Sequence, residues 1–196
     1  MELNEKTIGF ALTGSFCTYH KVIPEIKKLK DAGAKIIPIM SEASSSTDTR
    51  FGKAADFIKE IEEITESTCI TTIKDAEPIG PKKLLDALIV APATGNSISK
   101  IANGIADTTV TLAVKSHLRN LRPVLIAVST NDGLGNNAKN IGILANKKNI
   151  YLVPFGQDDF KEKANSLVAK MDLIIPALKE ALSGRQIQPL LIGNNL

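Results

Sequence analysis

Seven consecutive residues, Ala91-Pro92-Ala93-Thr94-Gly95-Asn96-Ser97, set small side chains beside one amide and two hydroxyls. That mixture suits a flat heteroaromatic ligand: the small groups allow close backbone approach, while Thr94 and Asn96 can hydrogen-bond the polar edge of a ring. A second cluster, Thr13-Gly14-Ser15-Phe16, puts glycine and a hydroxyl at a strand-to-helix junction. Backbone amides and the positive end of a helix dipole attract a phosphate there. An ordinary glycine turn with Ser15 as a helix cap is the plainer alternative. Residues 41–47, with Ser41 at their head, hold five hydroxyl side chains that can complete such an anion cradle or form an unremarkable polar loop.

Other chemistry-bearing residues are more scattered. Gly133-Leu134-Gly135-Asn136-Asn137-Ala138 fits the G-x-G-x-x-A dinucleotide pattern, with Asp158 twenty residues further on. Three residues, Thr130 to Asp132, separate its first glycine from the strand, so a lid or substrate loop is the better reading. His20 falls in the first helix and is expected to face solvent. His117, with Lys115, Arg119 and Arg122, reads as a solvated helix end. Cys17 and Cys69 have no metal-ligand spacing and are expected to be buried free thiols. No metal site and no catalytic residue is singled out.

The elements that must position these residues follow from periodicity. Residues 7–13 read as a strand ending at Gly14; Phe16, Tyr19, Val22, Ile23, Ile26 and Leu29 mark a helix stopped by Gly33, with Pro24 inside it. A strand over 34–40 needs an edge position because of Pro38. Helices are expected over 50–65, 97–103, 107–120 and from 138 to 148, and strands over 69–73, 84–90, 123–129 and 150–154. Residues 158–184 read as helical, and the tail 186–196 has too few packing signals to place. Strands with near-continuous apolar runs alternating with helices predict an α/β, doubly wound, flavodoxin-like (Rossmann-like) parallel sheet with helices on both faces, in three layers. The expectation is one domain over 1–185 plus the tail. Ligands in such folds gather at the carboxyl ends of the strands, beside Gly14, Ser41, Pro92 and Thr130.

Composition narrows the classes. With 24 basic and 21 acidic residues, a net charge of +3 and only 4% aromatic residues, the chain lacks both the basic patch and the stacking platform of a nucleic-acid binder. The start, Met1-Glu2-Leu3-Asn4-Glu5-Lys6, is unlike a secretory signal, and the longest apolar run, 87–93, is far short of the roughly 20 residues that span a bilayer. A soluble cytoplasmic protein is expected.

The segment 91–97, extended through Gly104 and Asp107, resembles the Pro-Ala-Ser-Ala-Asn-Thr signature of the FMN-dependent flavoprotein family that includes phosphopantothenoylcysteine decarboxylase and the flavin prenyltransferases. The Gly14-Ser15 turn and Ser41 fall where that family binds the FMN phosphate. The resemblance implies FMN as cofactor, with Gly14, Ser15, Phe16, Ser41, Pro92, Ala93, Thr94, Asn96 and Ser97 around it, and trimer-based self-assembly. Thr94-Gly95 replaces the signature's Ser-Ala, no histidine occurs within 69–88 where the cysteine-decarboxylating members carry theirs, and their Pro-x-Met-Asn-x-x-Met clamp is represented only by 123–126 and Asn131. These departures speak against decarboxylation of a peptidyl cysteine. Segments 76–83 and 129–137 resemble a member that works as an oxidoreductase subunit with a separate second chain on a small dicarboxylate. For such a substrate, Arg50, Lys82 and Lys83 are candidate partners of the carboxylates. A free-standing decarboxylase or prenyltransferase, or a noncatalytic flavin-binding scaffold, are the alternatives.

Overall fold

The computed structural model describes residues 3–193; Met1, Glu2 and residues 194–196 of the expected start and tail lie outside the described residues. Strand β1 (Thr7–Leu12) is followed by a 3-10 turn (Phe16–Thr18) and α1 (Tyr19–Asp31). Next come β2 (Lys35–Met40), the short α2 (Glu42–Ser46), α3 (Ala54–Thr65), and the single turn α4 (Ile73–Ala76). The second half holds β3 (Ala87–Ala93), α5 (Gly95–Ala102), α6 (Thr109–Leu118), β4 (Val124–Thr130) and α7 (Ala138–Ala145). It closes with β5 (Ile150–Leu152), β6 (Phe155–Gln157), β7 (Leu167–Ala169) and α8 (Ile174–Leu182).

Strands β2, β1, β3, β4 and β5 pair in that order and all in parallel, the doubly wound arrangement the alternating pattern predicts. β3 is buried along its whole length, and β4 everywhere but its last residue. That explains why both read as continuous apolar runs rather than as alternations. The order in which strands are added reverses between β1 and β3, so the crevice beyond their carboxyl ends is the place where this fold holds ligands.

The sheet ends show how sequence meets topology. Lys35 and Ser41 donate their amides to Lys6 and Leu12, so the odd-numbered amides of β2 face β1. Position 38 therefore faces outward, where Pro38 lacks nothing by having no N–H, and its carbonyl accepts from Ile70. The stretch 69–73 is consequently no strand of its own: it supplies the one bridge Ile70–Ile39 before Thr72 caps α4. Pro24 is carried on the exposed face of α1, where the carbonyl it leaves unpaired reaches water.

Residues 158–184 depart furthest from the helical expectation. β6 and β7 form an antiparallel hairpin, and β7 pairs antiparallel with the end of β4 through Ser129–Val168 and Thr130–Leu167. β4 thus shares one edge between β5 at its start and β7 at its end. Asp159 breaks any helix at its outset, because its carboxylate accepts the amides of Lys161 and Glu162 at 3.2 and 3.1 Å and closes a local turn. Residues 186–193 of the tail are also placed. Gln186 donates to the Leu152 carbonyl and accepts from the Leu152 amide, completing the open edge of β5 with a side-chain amide. Along β6 the backbone does the same: the Leu190 carbonyl accepts the Phe155 amide, and the Ile192 amide donates to the Phe155 carbonyl.

Two residue-level expectations are corrected. His117 is not a solvated helix end: it is fully buried, and Nε2 lies 3.1 Å from the Pro123 carbonyl. Desolvation lowers its pKa to about 4 against the partial compensation of that hydrogen bond. The last turn of α6 packs its histidine inward because the sheet begins at Val124 just beyond it. Of the two free thiols only Cys69 is buried; Cys17 is exposed.

Candidate functional site

The carboxyl ends of β1, β3 and β4 are tied together by hydroxyls. Thr13, 1% exposed, donates from Oγ1 to the Pro92 carbonyl at 2.6 Å and accepts the Thr94 amide at 2.9 Å, locking the end of β1 to the end of β3. Ser15, Thr18 and Ser129 form a triangle of hydroxyls with edges of 2.8, 3.0 and 3.1 Å, joining the first turn to β4. Each hydroxyl has one hydrogen and two lone pairs, so one member can turn its hydrogen outward without leaving the others unsatisfied. Tyr19 backs the same turn: its hydroxyl donates to the Thr13 carbonyl at 3.2 Å, and burial pushes its pKa up to about 12.

In front of this floor lies a cavity of about 710 Å³. Gly14, Ser15, Phe16 and Lys21 line it from the β1 side, Thr94 and Gly95 from β3, and Ser129 to Asn131 from β4. The β6–β7 hairpin adds Lys163, Ser166 and Val168, and Phe51 closes a flank. Neither Ser15 nor Thr18 spends its side chain on capping the helical segment it precedes. The start of that segment therefore keeps its positive dipole end open, beside a cavity that Lys21 and Lys163 also line.

A second cavity of about 520 Å³ adjoins the first, sharing Gly95, Thr130 and Asn131 with it. Amides dominate its wall: Asn96, Asn131, Asn136, Asn137 and Asn140. Asp132 organises them. It accepts from the Thr130 hydroxyl and, at 3.0 and 2.9 Å, from Asn137 Nδ2; Asn137 in turn accepts from Asn140 at 2.9 Å. A Cβ at position 95 would lie 2.6 Å from Asn137 Nδ2, 2.7 Å from Thr130 Oγ1 and 2.8 Å from Asp132 Oδ1. Glycine stands at this position because the loop after β4 packs onto the start of α5 with no room for a side chain.

The expected site residues divide into two groups. Gly14, Ser15, Phe16 and Thr94 line the larger cavity and Asn96 the smaller. Ser41, Pro92, Ala93 and Ser97 are buried and serve the framework. Ser41 accepts from the Ser44 amide as the cap of α2, Pro92 receives the Thr13 hydroxyl, and Ser97 pairs with Thr94, the cap of α5. Asp107 ties back to Lys100 at 2.8 Å. Lys82 and Lys83 do not reach the strand ends named for them: they precede β3, at its amino end, opposite the cavities. Arg50 stacks on the Phe51 ring at 4.9 Å, on the flank of the larger cavity. The segment 123–126 starts β4 at the far end as well, which leaves Asn131 as the one clamp position at the site. His20 is exposed, as expected. Thr18, Ser129 and Lys163 are site residues that the sequence reading misses; the hydroxyls had a signal, lying one turn after β1 and at the end of β4, whereas Lys163 had none.

A model of the Flavoprotein family matches residues 1–177. The chain belongs to that family. Among its relatives, the B subunit of dipicolinate synthase from Bacillus subtilis is 48% identical over 192 residues, covering 98% of this chain and 96% of the relative. The crystal structure of the dipicolinate synthase B subunit from Bacillus halodurans superposes with a TM-score of 0.91 at 46% identity, covering 99% of this chain and all (100%) of that one. The fold extends to the FMN-dependent cysteine decarboxylase SpaF, with a TM-score of 0.64 at 23% identity over 91% of this chain and 98% of that one. This Flavoprotein family member thus keeps the doubly wound core across relatives of different chemistry.

Proposed function

We propose that the chain binds FMN in the larger cavity and acts as the B subunit of dipicolinate synthase. With a separate A subunit it would oxidise dihydrodipicolinate to dipicolinate during sporulation, in the mother-cell cytoplasm. The observation that carries this reading is the 48% identity to the Bacillus subtilis B subunit, sustained over 98% of the chain.

The donor set suits FMN. A dianionic phosphate needs hydrogen-bond donors and positive potential, and the turn at Gly14 offers the hydroxyl triangle, an open helix start and Lys21. A flat ring system needs apolar walls with a few polar groups at its rim. Phe16, Phe51 and Val168 supply the first, and Thr94 and Asn131 the second. On this reading Gly14, Ser15, Phe16, Thr94 and Asn96 hold the flavin, while Ser41, Pro92, Ala93 and Ser97 hold those residues in place.

Bound flavin supplies a two-electron acceptor. Aromatisation of the dihydropyridine ring releases a hydride equivalent and a proton. The chain's own contribution is to orient the ring through fixed hydroxyl and amide dipoles and to keep water off it with the β6–β7 hairpin. FMN held in this cavity, or a nicotinamide held by the A subunit, would supply the acceptor for that hydride. Self-assembly is expected to be trimer-based.

The test is to assay each purified chain alone and mixed, with FMN and NAD(P) supplied. Activity confined to the mixture, together with loss of the oxidised-flavin absorption when dihydrodipicolinate is added, is the expected result. Full NAD(P)-linked turnover by this chain alone overturns the two-subunit reading; a flavin spectrum that substrate never changes favours the scaffold alternative.

A further inference from the structure

Beyond Asn96 and the shared Gly95, Thr130 and Asn131, the smaller cavity is lined by residues that the flavin site does not use. Gly95, Asn96, Ser99, Thr130, Asn131 and Asp132 line one side, and no aliphatic or aromatic side chain lines it anywhere. A ring would find nothing there to stack on. Polar ends of a molecule would, because the wall offers neutral amides, the hydroxyls of Ser99 and Thr130 and the ammonium of Lys139. Its single acid is already committed: both Asp132 oxygens accept from Asn137, and Oδ1 also accepts from Thr130.

The amides run in one direction. Asn103 donates to Asn140 at 3.3 Å, Asn140 to Asn137 at 2.9 Å, and Asn137 to the Asp132 carboxylate. Asn137 and Asn140 are 5% and 4% exposed, so their orientation is fixed by this chain rather than by water. A carboxylate at the end of the chain forces every amide to turn its oxygen away from Asp132 and its hydrogens toward it. Asn140 then keeps one amide hydrogen uncommitted beside Lys139. A network of this kind rigidifies its surroundings, and it is built here beside an opening of about 520 Å³ with one donor left to face a ligand.

We propose that this cavity receives a carboxylate group of the substrate, held by Asn131, Asn140 and Lys139, and that Asp132, through Asn137, is the residue that positions the Asn140 donor. The inference rests on the flavin reading of the adjoining cavity: Gly95, Thr130 and Asn131 belong to both, so a dicarboxylate can present its ring to one and a carboxylate to the other. It also names the substrate class as a small ring acid. The cation that serves it is Lys139 on α7, in place of Lys82 or Lys83 at the far end of the sheet.

The experiment measures two affinities in parallel on the full chain: pyridine-2,6-dicarboxylate by calorimetry and FMN by fluorescence quenching. KM and kcat for dihydrodipicolinate are read on the complex with the A subunit. Lys139→Gln and Asn131→Ala are expected to weaken the dicarboxylate and raise KM about tenfold each. For Lys139→Gln, FMN affinity should stay within about twofold, since Lys139 is confined to the smaller cavity. Asp132→Asn should raise KM severalfold with kcat nearly unchanged, because an amide there no longer dictates which way Asn137 faces; a merely structural aspartate would lower the melting temperature and leave KM where it was. Unchanged dicarboxylate affinity in both Lys139→Gln and Asn131→Ala overturns the proposal, as does wild-type protein that binds no dicarboxylate, or NADP displacing it from the same residues. Failure of the flavin reading looks different: FMN is ignored by the wild-type chain while the dicarboxylate still responds to Lys139→Gln.

Discussion

The thiol of Cys69 is buried, and desolvation with a smaller push from Glu62 raises its pKa to about 12, so at neutral pH it carries almost no thiolate. Cys17 stands exposed on the wall of the larger cavity, one residue past Phe16. The pair is an internal reporter of the flavin site. An aromatic disulfide reagent at pH 8 is expected to modify one thiol per chain quickly, and saturating FMN to slow that modification by about tenfold or more. Equal rates with and without FMN would place the flavin elsewhere. The same scale explains Gly95. Read from sequence, the glycine looks like a loosening of the signature; its structural cause is the amide and carboxylate cluster arriving from the loop after β4, about forty residues away in sequence and invisible to any local pattern.

At the scale of elements, the parallel strands were legible because burial on both faces wrote them as apolar runs, and α1 because its apolar residues recur at three and four. Even the edge position of β2 could be inferred from one proline. The β6–β7 hairpin was not legible. Its strands are three residues each, too short to show alternation, and what stabilises them is pairing with β4 and the tail. That dependence makes a prediction. Gly156 lies so close to the Ile192 carbonyl that any side chain would push the tail off β6. Gly156→Ala should therefore lose the hydrogen bonds that bracket Phe155, at a cost on the order of 2 kcal/mol. Hydrogen exchange at Phe155 and Ile192 should rise, and FMN affinity should fall because the hairpin carries Lys163 and Ser166 to the cavity. Unaltered protection at both amides would show that the tail contributes nothing to the hairpin.

At the scale of the whole molecule, pH acts through His117, far from both cavities at the amino ends of the strands. Its folded pKa of about 4 lies below the ordinary value of 6.5, so the unfolded chain binds the proton more readily. The stability tied to the neutral ring is fully present above pH 6.5 and is lost as the pH falls toward 4, by up to about 3 kcal/mol over that window. His117→Gln keeps a donor for the Pro123 carbonyl and removes the titration. Urea midpoints of this variant should fall less steeply than those of the wild type between pH 6.5 and 4; parallel curves would assign the acid sensitivity to the carboxylates instead.

Among the described residues each outer margin of the sheet is at least partly covered: Ile70 on Pro38 and Met40 along β2, the Gln186 amide along β5, and residues 190–192 along β6. Among the described residues no long run of unsatisfied strand backbone is left for another copy to zip onto, so concentrated protein should form discrete particles rather than fibrils, and any contact between copies must be made by side chains on helices and loops.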